Sequence, residues 1–362
     1  GLIATMIRRS CFRHRRVETC LCAAWMCGYF GTSRGFVALP GNGLGTPNLW
    51  RSMSHGPRIR SNNPRKQIGI SRHTLRSISV SSIAQQALEF STGTLAFVGK
   101  TYAFLLLVVF LLQRKLIFLP SNQVADPRAY AKNLEVIRLS GPQKDTTLAA
   151  IYMPRPSSAV VVFFHGNADQ LGWGPVYLGN QLQQAGLGFY GIEYPGYGLA
   201  QPGSPTEESI YAAAQVMLDH LINELKVDKS SLVMVGQSIG CGAAVEMARR
   251  GYGQKLLLLS PFTSLLALSQ RIYPVFAPAL KIFPFLLYDK FDNLAKAKQV
   301  SSETLVIHGD KDEIIPYDMG RELAAKIPGA IFQTAQGRGH NDILDSAQVL
   351  SLIARFANGQ KQ

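Results

Sequence analysis

Acidic side chains are almost missing from the front of this 362-residue chain. Residues 1–88 hold thirteen Lys and Arg against a single acid, Glu18, and so carry nearly all of the net charge of +14. The rest of the chain is close to neutral. That excludes a nucleic-acid-reading domain there, because such domains cluster Lys and Arg on one face. Cysteine is scarce as well: Cys11, Cys20, Cys22 and Cys27 lie at the front, and Cys241 alone lies beyond them. One cysteine cannot build a disulfide framework, and the other four lack zinc-ligand spacing. Internal repeats and a Walker-type phosphate loop are also lacking, the glycine run Gly41-Asn-Gly-Leu-Gly45 lying in the basic stretch. Charged residues make up only 17% of the chain and apolar ones 47%, a balance that excludes a wholly disordered protein.

What is present divides the chain in three. Residues 1–92 are rich in Arg, Ser and Gly and show no sustained period of 2 or 3.6. Their composition is that of an organelle transit peptide or of a plain disordered basic tail. Gly1-Leu-Ile-Ala-Thr5 also fits a myristoylation start, with palmitate on the nearby cysteines as its companion signal. Residues 93–113 are expected to form a transmembrane helix: Leu95 to Leu112 is an eighteen-residue run with one charge, Lys100, closed by Gln113-Arg114-Lys115. About 20 apolar residues span a bilayer, and a Lys near the start of the run can reach the interface. Ala103 to Leu112 has no polar face, which counts against a buried helix of a globular domain. Basic residues on both flanks leave the orientation open. The expected location is a membrane, crossed once, with organelle targeting by the leader as a second expectation.

Residues 114–362 predict one α/β domain. Apolar runs at 134–139, 148–153, 159–164, 189–193, 232–235, 256–259, 305–307 and 330–333 have strand length. Helix-length stretches lie at 171–185, 206–225, 243–250, 317–327 and 341–358. Such alternation predicts βαβ units and a mainly parallel central sheet flanked by helices on both faces. The first two strands are expected to be an antiparallel lead-in.

Ligands of such sheets lie at the carboxyl ends of the strands, and four turns there hold chemistry. In Gly236-Gln-Ser-Ile-Gly240 two glycines bracket Ser238 between a strand and a helix. On its own this fits either a tight turn with a capping serine or a nucleophile elbow, in which the N–H of the residue after the serine, here Ile239, lines an oxyanion hole. His165-Gly-Asn-Ala168 follows the third strand and can aim the Asn167 backbone N–H at the same oxyanion. His308-Gly-Asp-Lys-Asp-Glu313 offers three carboxylates; Asp312 is the expected acid that orients a histidine, with Asp310 the alternative. Gly337-Arg-Gly-His340 supplies the only histidine after that acid. The chain order Ser238, Asp312, His340 is the order expected of an α/β-hydrolase.

With these residues in place, the chain over about 114–357 resembles the α/β-hydrolase superfamily. It is most similar to the membrane-anchored α/β-hydrolase domain-containing serine hydrolases, a set that includes protein depalmitoylases. The resemblance is carried by His165-Gly-Asn-Ala168, Glu193-Tyr-Pro-Gly-Tyr-Gly198, Gly236-Gln-Ser-Ile-Gly240, the His308-Gly-Asp-Lys-Asp312 turn with Pro316, Gly339-His-Asn-Asp-Ile343, and the apolar helix before Gln113-Arg-Lys-Leu-Ile-Phe-Leu-Pro120. It implies an acyl-enzyme on Ser238, with neither metal nor organic cofactor. Glu193 departs from the usual Asp, and the basic leader is longer than expected.

A cap segment is expected at about 262–292, where Arg271 to Tyr288 is rich in aromatic and aliphatic residues. Such a lining would accept an acyl chain; the alternatives are a segment that contacts the membrane or one that packs on the core. The expected activity is a serine hydrolase acting on acyl esters or thioesters, S-palmitoylated proteins among them. Its expected partners are a lipophilic acyl substrate and membrane lipid, with no nucleic acid. A serine peptidase of the same fold and a catalytically silent membrane scaffold are the alternatives.

Overall fold

The computed structural model describes residues 80–121, 123–155 and 158–360. The four leading cysteines, the myristoylation and transit readings and the glycine run all lie outside these residues.

Helix α1 (Val80–Ile117) is 38 residues long and starts well before the expected 93–113. Residues 80–92, expected to belong to the leader, are therefore helical. The polar side chains on this stretch do not stop the helix, because their hydroxyls bond back to its carbonyls. Ser91 donates to Leu88 O at 2.8 Å and Thr94 to Phe90 O at 2.8 Å. Such bonds give each hydroxyl a partner within the helix, at a small cost in helix stability. Within Leu88–Ile117 of α1, the most apolar 18-residue window has a mean hydropathy of 2.3, and none of that window is buried by the rest of the chain. Among the described residues α1 is the one helix long and apolar enough to cross a membrane, and it fits a single transmembrane helix.

The eight strands are β1 (Glu135–Ser140), β2 (Thr147–Met153), β3 (Val160–Phe164), β4 (Gly188–Glu193), β5 (Leu232–Gln237), β6 (Lys255–Leu259), β7 (Glu303–Gly309) and β8 (Ile331–Ala335). They form one sheet in the order β1-β2-β4-β3-β5-β6-β7-β8. β2 is antiparallel to both β1 and β4, and all other pairs are parallel. Successive strand side chains point to opposite faces, so each buried strand feeds two cores. Val160, Val162 and Phe164 join one cluster, and Val161 and Phe163 the other. The first core is covered by α3 (Glu207–Asn223), α4 (Gly240–Arg249), α7 (Asn293–Ala297) and α8 (Tyr317–Lys326), the second by α2 (Gly174–Gln184) and α9 (Ala347–Ala357). A capping box starts α3: Thr206 Oγ1 accepts from Ser209 N, and the Ser209 hydroxyl accepts from Thr206 N. Helices on both faces are what a buried parallel sheet requires.

Between β6 and α7 lies the cap, made of α5 (Leu265–Ile272), α6 (Ala277–Ile282) and a 3-10 turn at Pro284–Leu286. Leu265 and Leu268 pack against the first core. Beyond them the large apolar side chains are not a closed lining: Val275 is 59% exposed, Ile282 68% and Phe285 65%. Pro274 and Pro284 follow the ends of α5 and α6 and cannot continue them, because each lacks the N–H an α-helix needs, whereas Pro278 sits in the first turn of α6, where that loss is tolerated.

Candidate active site

The elbow sits at the end of β5, which lies centrally between β3 and β6. Ser238 has φ +54°, a left-handed conformation rare for a residue with a Cβ. Such a residue costs about 1–3 kcal/mol and persists only where its surroundings enforce it. Here the enforcement is a hydrogen bond on each side: Ser238 N donates to Leu259 O at 3.0 Å, and Ser238 O accepts from Cys241 N at 3.0 Å. The two glycines give the space. A Cβ on Gly236 would come within 2.7 Å of Cys241 Cα, and one on Gly240 would overlap the carbonyl oxygen of Phe164. Only bare backbone lets α4 start this close to β5 and β3. The Cys241 thiol beside the elbow is buried and donates to Gly236 O at 3.2 Å. Burial pushes its pKa well up, so it stays a thiol.

Ser238 Oγ lies 2.9 Å from His340 Nε2, and His340 Nδ1 lies 2.8 Å from Asp312 Oδ2. The structure thus brings the three residues together although 102 residues separate the serine from the histidine. Asp312, not Asp310, faces the imidazole; Asp310 Oδ1 instead accepts from Gly337 N at 2.6 Å and shapes the histidine loop. Asp312 Oδ1 accepts from Ile314 N at 3.0 Å and Ile315 N at 2.8 Å. Burial alone would raise the Asp312 pKa, but hydrogen bonds from His308 and His340 and from the Ile315 amide outweigh it and hold the group well below the usual carboxylate range. The acid is therefore ionised, as an acceptor for a histidine N–H must be.

His308 has a role the sequence reading did not assign. Its Nε2 lies 3.2 Å from Asp312 Oδ2 and 3.1 Å from Ile315 O, while its buried Nδ1 has no partner among the described residues. The proton therefore belongs on Nε2, and the ring contacts the same carboxylate oxygen as His340. Gly320 of α8 makes room for it, since a Cβ there would overlap His308 Nδ1. The signal was present as a histidine four residues before the acid, but only the folded turn shows that both face one carboxylate oxygen.

The third turn lies beside the serine: a Cβ on Gly166 would be 3.7 Å from Ser238 Cβ. Neither the Asn167 nor the Ile239 backbone N–H donates a hydrogen bond among the described residues, so both are free for a ligand oxygen. The Asn167 side chain does something unforeseen. Its Nδ2 donates to Ile117 O at 2.6 Å, and its Oδ1 accepts from Leu119 N at 3.0 Å and from the Tyr197 hydroxyl at 2.7 Å. The end of α1 is thereby fastened to the candidate oxyanion turn. Behind it His165 and Glu193 are fully buried, with His165 Nε2 2.9 Å from Glu193 Oε1 and Nδ1 2.8 Å from Gly166 O. Burial by itself would lower the His165 pKa, but Glu193 outweighs it and the pKa is raised. Glu193 Oε2 also accepts from Leu171 N at 3.1 Å. Glu193 is thus the structural partner of the turn. No three His, Cys, Asp or Glu side chains are grouped to hold a metal ion among the described residues.

The fold is that of the α/β hydrolases, and the chain is similar to members of the α/β-hydrolase superfamily. A family model described as serine aminopeptidase, S33, matches residues 155–290, which takes in the elbow and the oxyanion turn but ends before Asp312 and His340. Mouse alpha/beta hydrolase domain-containing protein 17C is 29% identical over 240 residues, covering 65% of this chain and 72% of its own. The human protein 17B is 29% identical over 199 residues, covering 55% and 66%. An esterase from Pyrococcus furiosus has the same fold, with a TM-score of 0.54 at 15% identity, over 67% of this chain and all of its own.

Proposed function

We propose that this chain is a membrane-anchored serine hydrolase that cleaves acyl esters or thioesters, S-palmitoylated proteins among them, through Ser238, His340 and Asp312. The observation that carries this reading is the continuous line Ser238 Oγ, His340 Nε2, His340 Nδ1, Asp312 Oδ2, with contacts of 2.9 and 2.8 Å. In the reaction Ser238 Oγ attacks the acyl carbon while its proton passes to His340 Nε2. Asp312 stays ionised and stabilises the imidazolium. The Asn167 and Ile239 N–H groups bind the oxyanion; one such donor contributes about 3–4 kcal/mol to the transition state. Collapse breaks the bond to the leaving group, which departs as thiol or alcohol with the proton from His340. Water, deprotonated by the same nitrogen, then attacks the acyl-serine and releases the carboxylic acid.

Support for a lipophilic substrate comes from the apolar cap and from α1, whose end is tied to the oxyanion turn. The family description favours a second reading, a serine peptidase. The two differ in leaving group, because a departing amine must be protonated whereas a thiolate needs little help. Paired turnover of a palmitoyl thioester and an aminopeptidase substrate separates them. Thioester cleavage that is lost in Ser238→Ala, with the peptide left intact, is expected; the reverse preference would replace esterase by peptidase.

A further inference from the structure

The cap does not stand free above the sheet. At its lower end Gln113 of α1 is buried, donating through Nε2 to Leu286 O at 3.1 Å and accepting from Tyr288 N at 2.8 Å. Phe110 packs against Tyr288 with 5.0 Å between ring centroids and the rings tilted by 54°, and Arg114 pairs with Asp289 at 3.0 Å. At its upper end the Tyr102 hydroxyl donates to Val275 O at 3.0 Å, and Tyr102 stands beside Phe276. Residues 275–288 therefore climb along α1 from the level of Gln113 to that of Tyr102. At 1.5 Å per residue this climb is about 16 Å. The hydrocarbon of a bilayer is about 30 Å thick. With Gln113-Arg114-Lys115 at the interface, Tyr102 and Val275 stand near the middle of the bilayer.

From this depth and from the exposed side chains of the lobe, we infer that the cap residues 275–286 are buried in the leaflet that α1 enters, and that the hydrolase takes its acyl chains directly from that leaflet. The inference rests on the proposed membrane-spanning role of α1 and on the proposed hydrolase activity. The chemistry of the lobe matches a lipid surroundings in three respects. Val275, Ile282, Phe283 and Phe285 are 46–68% exposed, and no other part of the described chain covers them. Several backbone amides of the lobe are bonded within it, which lowers their cost in lipid: Phe276 N donates to Tyr273 O, Ala277 N to Pro274 O, Leu280 N to Phe276 O, Phe283 N to Ala279 O and Leu286 N to Phe283 O. Prolines 278 and 284 have no N–H to satisfy. One charge, Lys281, lies between Ile272 and Tyr288, and a lysine stem lets its ammonium reach the headgroups. The Asn167 bonds to Ile117 and Leu119 put Ser238 next to the same boundary.

The test uses the full chain in phosphatidylcholine vesicles, with Cys11, Cys20, Cys22 and Cys27 changed to Ser and the buried Cys241 kept. An environment-sensitive fluorophore is placed in turn at Ile282→Cys, Phe285→Cys, Phe104→Cys on α1 and Ile331→Cys on β8, and is quenched by lipids spin-labelled in the acyl chain. Each variant is first checked for a native circular-dichroism spectrum and a cooperative melt, and the two cap positions serve as independent copies of the test. Blue-shifted emission and quenching at residues 282 and 285 comparable to residue 104, with residue 331 unquenched, is the expected result. Quenching at residue 104 alone would overturn the inference and leave the membrane span standing. No quenching at any position would overturn both. A second reading of the same lobe is kinetic. Phe285→Glu should slow turnover of a palmitoyl thioester held in vesicles at least tenfold and leave hydrolysis of a short water-soluble ester unchanged. An equal effect on the two substrates would overturn direct uptake from the leaflet, and turnover of neither by the parent protein would overturn the hydrolase reading instead.

Discussion

Asp312 is where the site is most exposed to a single change. Its carboxylate accepts from two imidazoles and two amides, and its ionised form is held by them. Asp312→Asn keeps the shape but turns a donor or a weaker acceptor towards His340 Nδ1, which favours the wrong tautomer. The expected loss in kcat is on the order of 10⁴-fold with little change in KM, read in steady-state ester hydrolysis. Much of this site was legible in the chain. Ser238, Asp312 and His340 each follow an apolar run of strand length, and a glycine-marked turn after such a run points at the carboxyl edge of the sheet. What stayed illegible depends on side chains meeting across long separations. Asn167 reaches Ile117 and Leu119, 50 and 48 residues earlier, and no spacing rule announces that. His308 was visible as a residue but not as the second partner of Asp312, because that depends on how the loop turns back.

At the scale of an element, α4 shows how the helix behind the serine is held. Its Glu246 side chain is buried and meets Arg249 at 2.7 Å, Arg250 at 2.8 Å and Lys296 of α7 at 3.3 Å. Burial alone would raise the Glu246 pKa, but the hydrogen bonds from Arg249 and Arg250 and the Lys296 ammonium outweigh it and lower it to about 2. A depressed carboxylate pKa adds stability that is present above the unfolded value and lost as pH falls through the folded one. Glu246→Gln should therefore be less stable than the parent at pH 7. The gap should close as pH falls from about 4.5 to about 2, measured as urea midpoints across that range. The strands were readable to within a residue or two, because buried β-branched and leucine runs bounded by glycine and polar turns have few other homes. The start of α1 was not readable, since the serines and threonines near it look like a leader until their hydroxyls are seen to bond back to the helix.

Over the whole molecule, the long apolar helix, the cap and the candidate site share one boundary. The joint is Asn167, which follows the Gly166 beside the serine and whose side chain holds the end of α1. Asn167→Ala keeps the backbone N–H yet removes the partners of Ile117 O and of the Tyr197 O–H, while Leu119 N keeps only its bond to the Tyr197 oxygen. Each buried polar group left unpaired costs about 1–3 kcal/mol. The variant should melt earlier than the parent and hydrolyse vesicle-borne thioesters less well, with soluble esters less affected; equal loss on both substrates would mean that the side chain serves only local stability. The outward face of the cap was the part of the architecture the sequence concealed. An aromatic-rich insertion can line a cavity or point outward with the same composition, and only the fold shows Val275, Ile282 and Phe285 exposed.

The central claim is that Ser238 is an activated nucleophile. The most direct test is to treat the purified full chain with a fluorophosphonate and map the adduct by mass spectrometry. One adduct on Ser238, absent in Ser238→Ala and strongly slowed in His340→Ala, is the predicted result. A folded protein that takes no adduct, or takes it on another residue, would contradict the account and leave a membrane-tethered scaffold with an idle hydrolase fold.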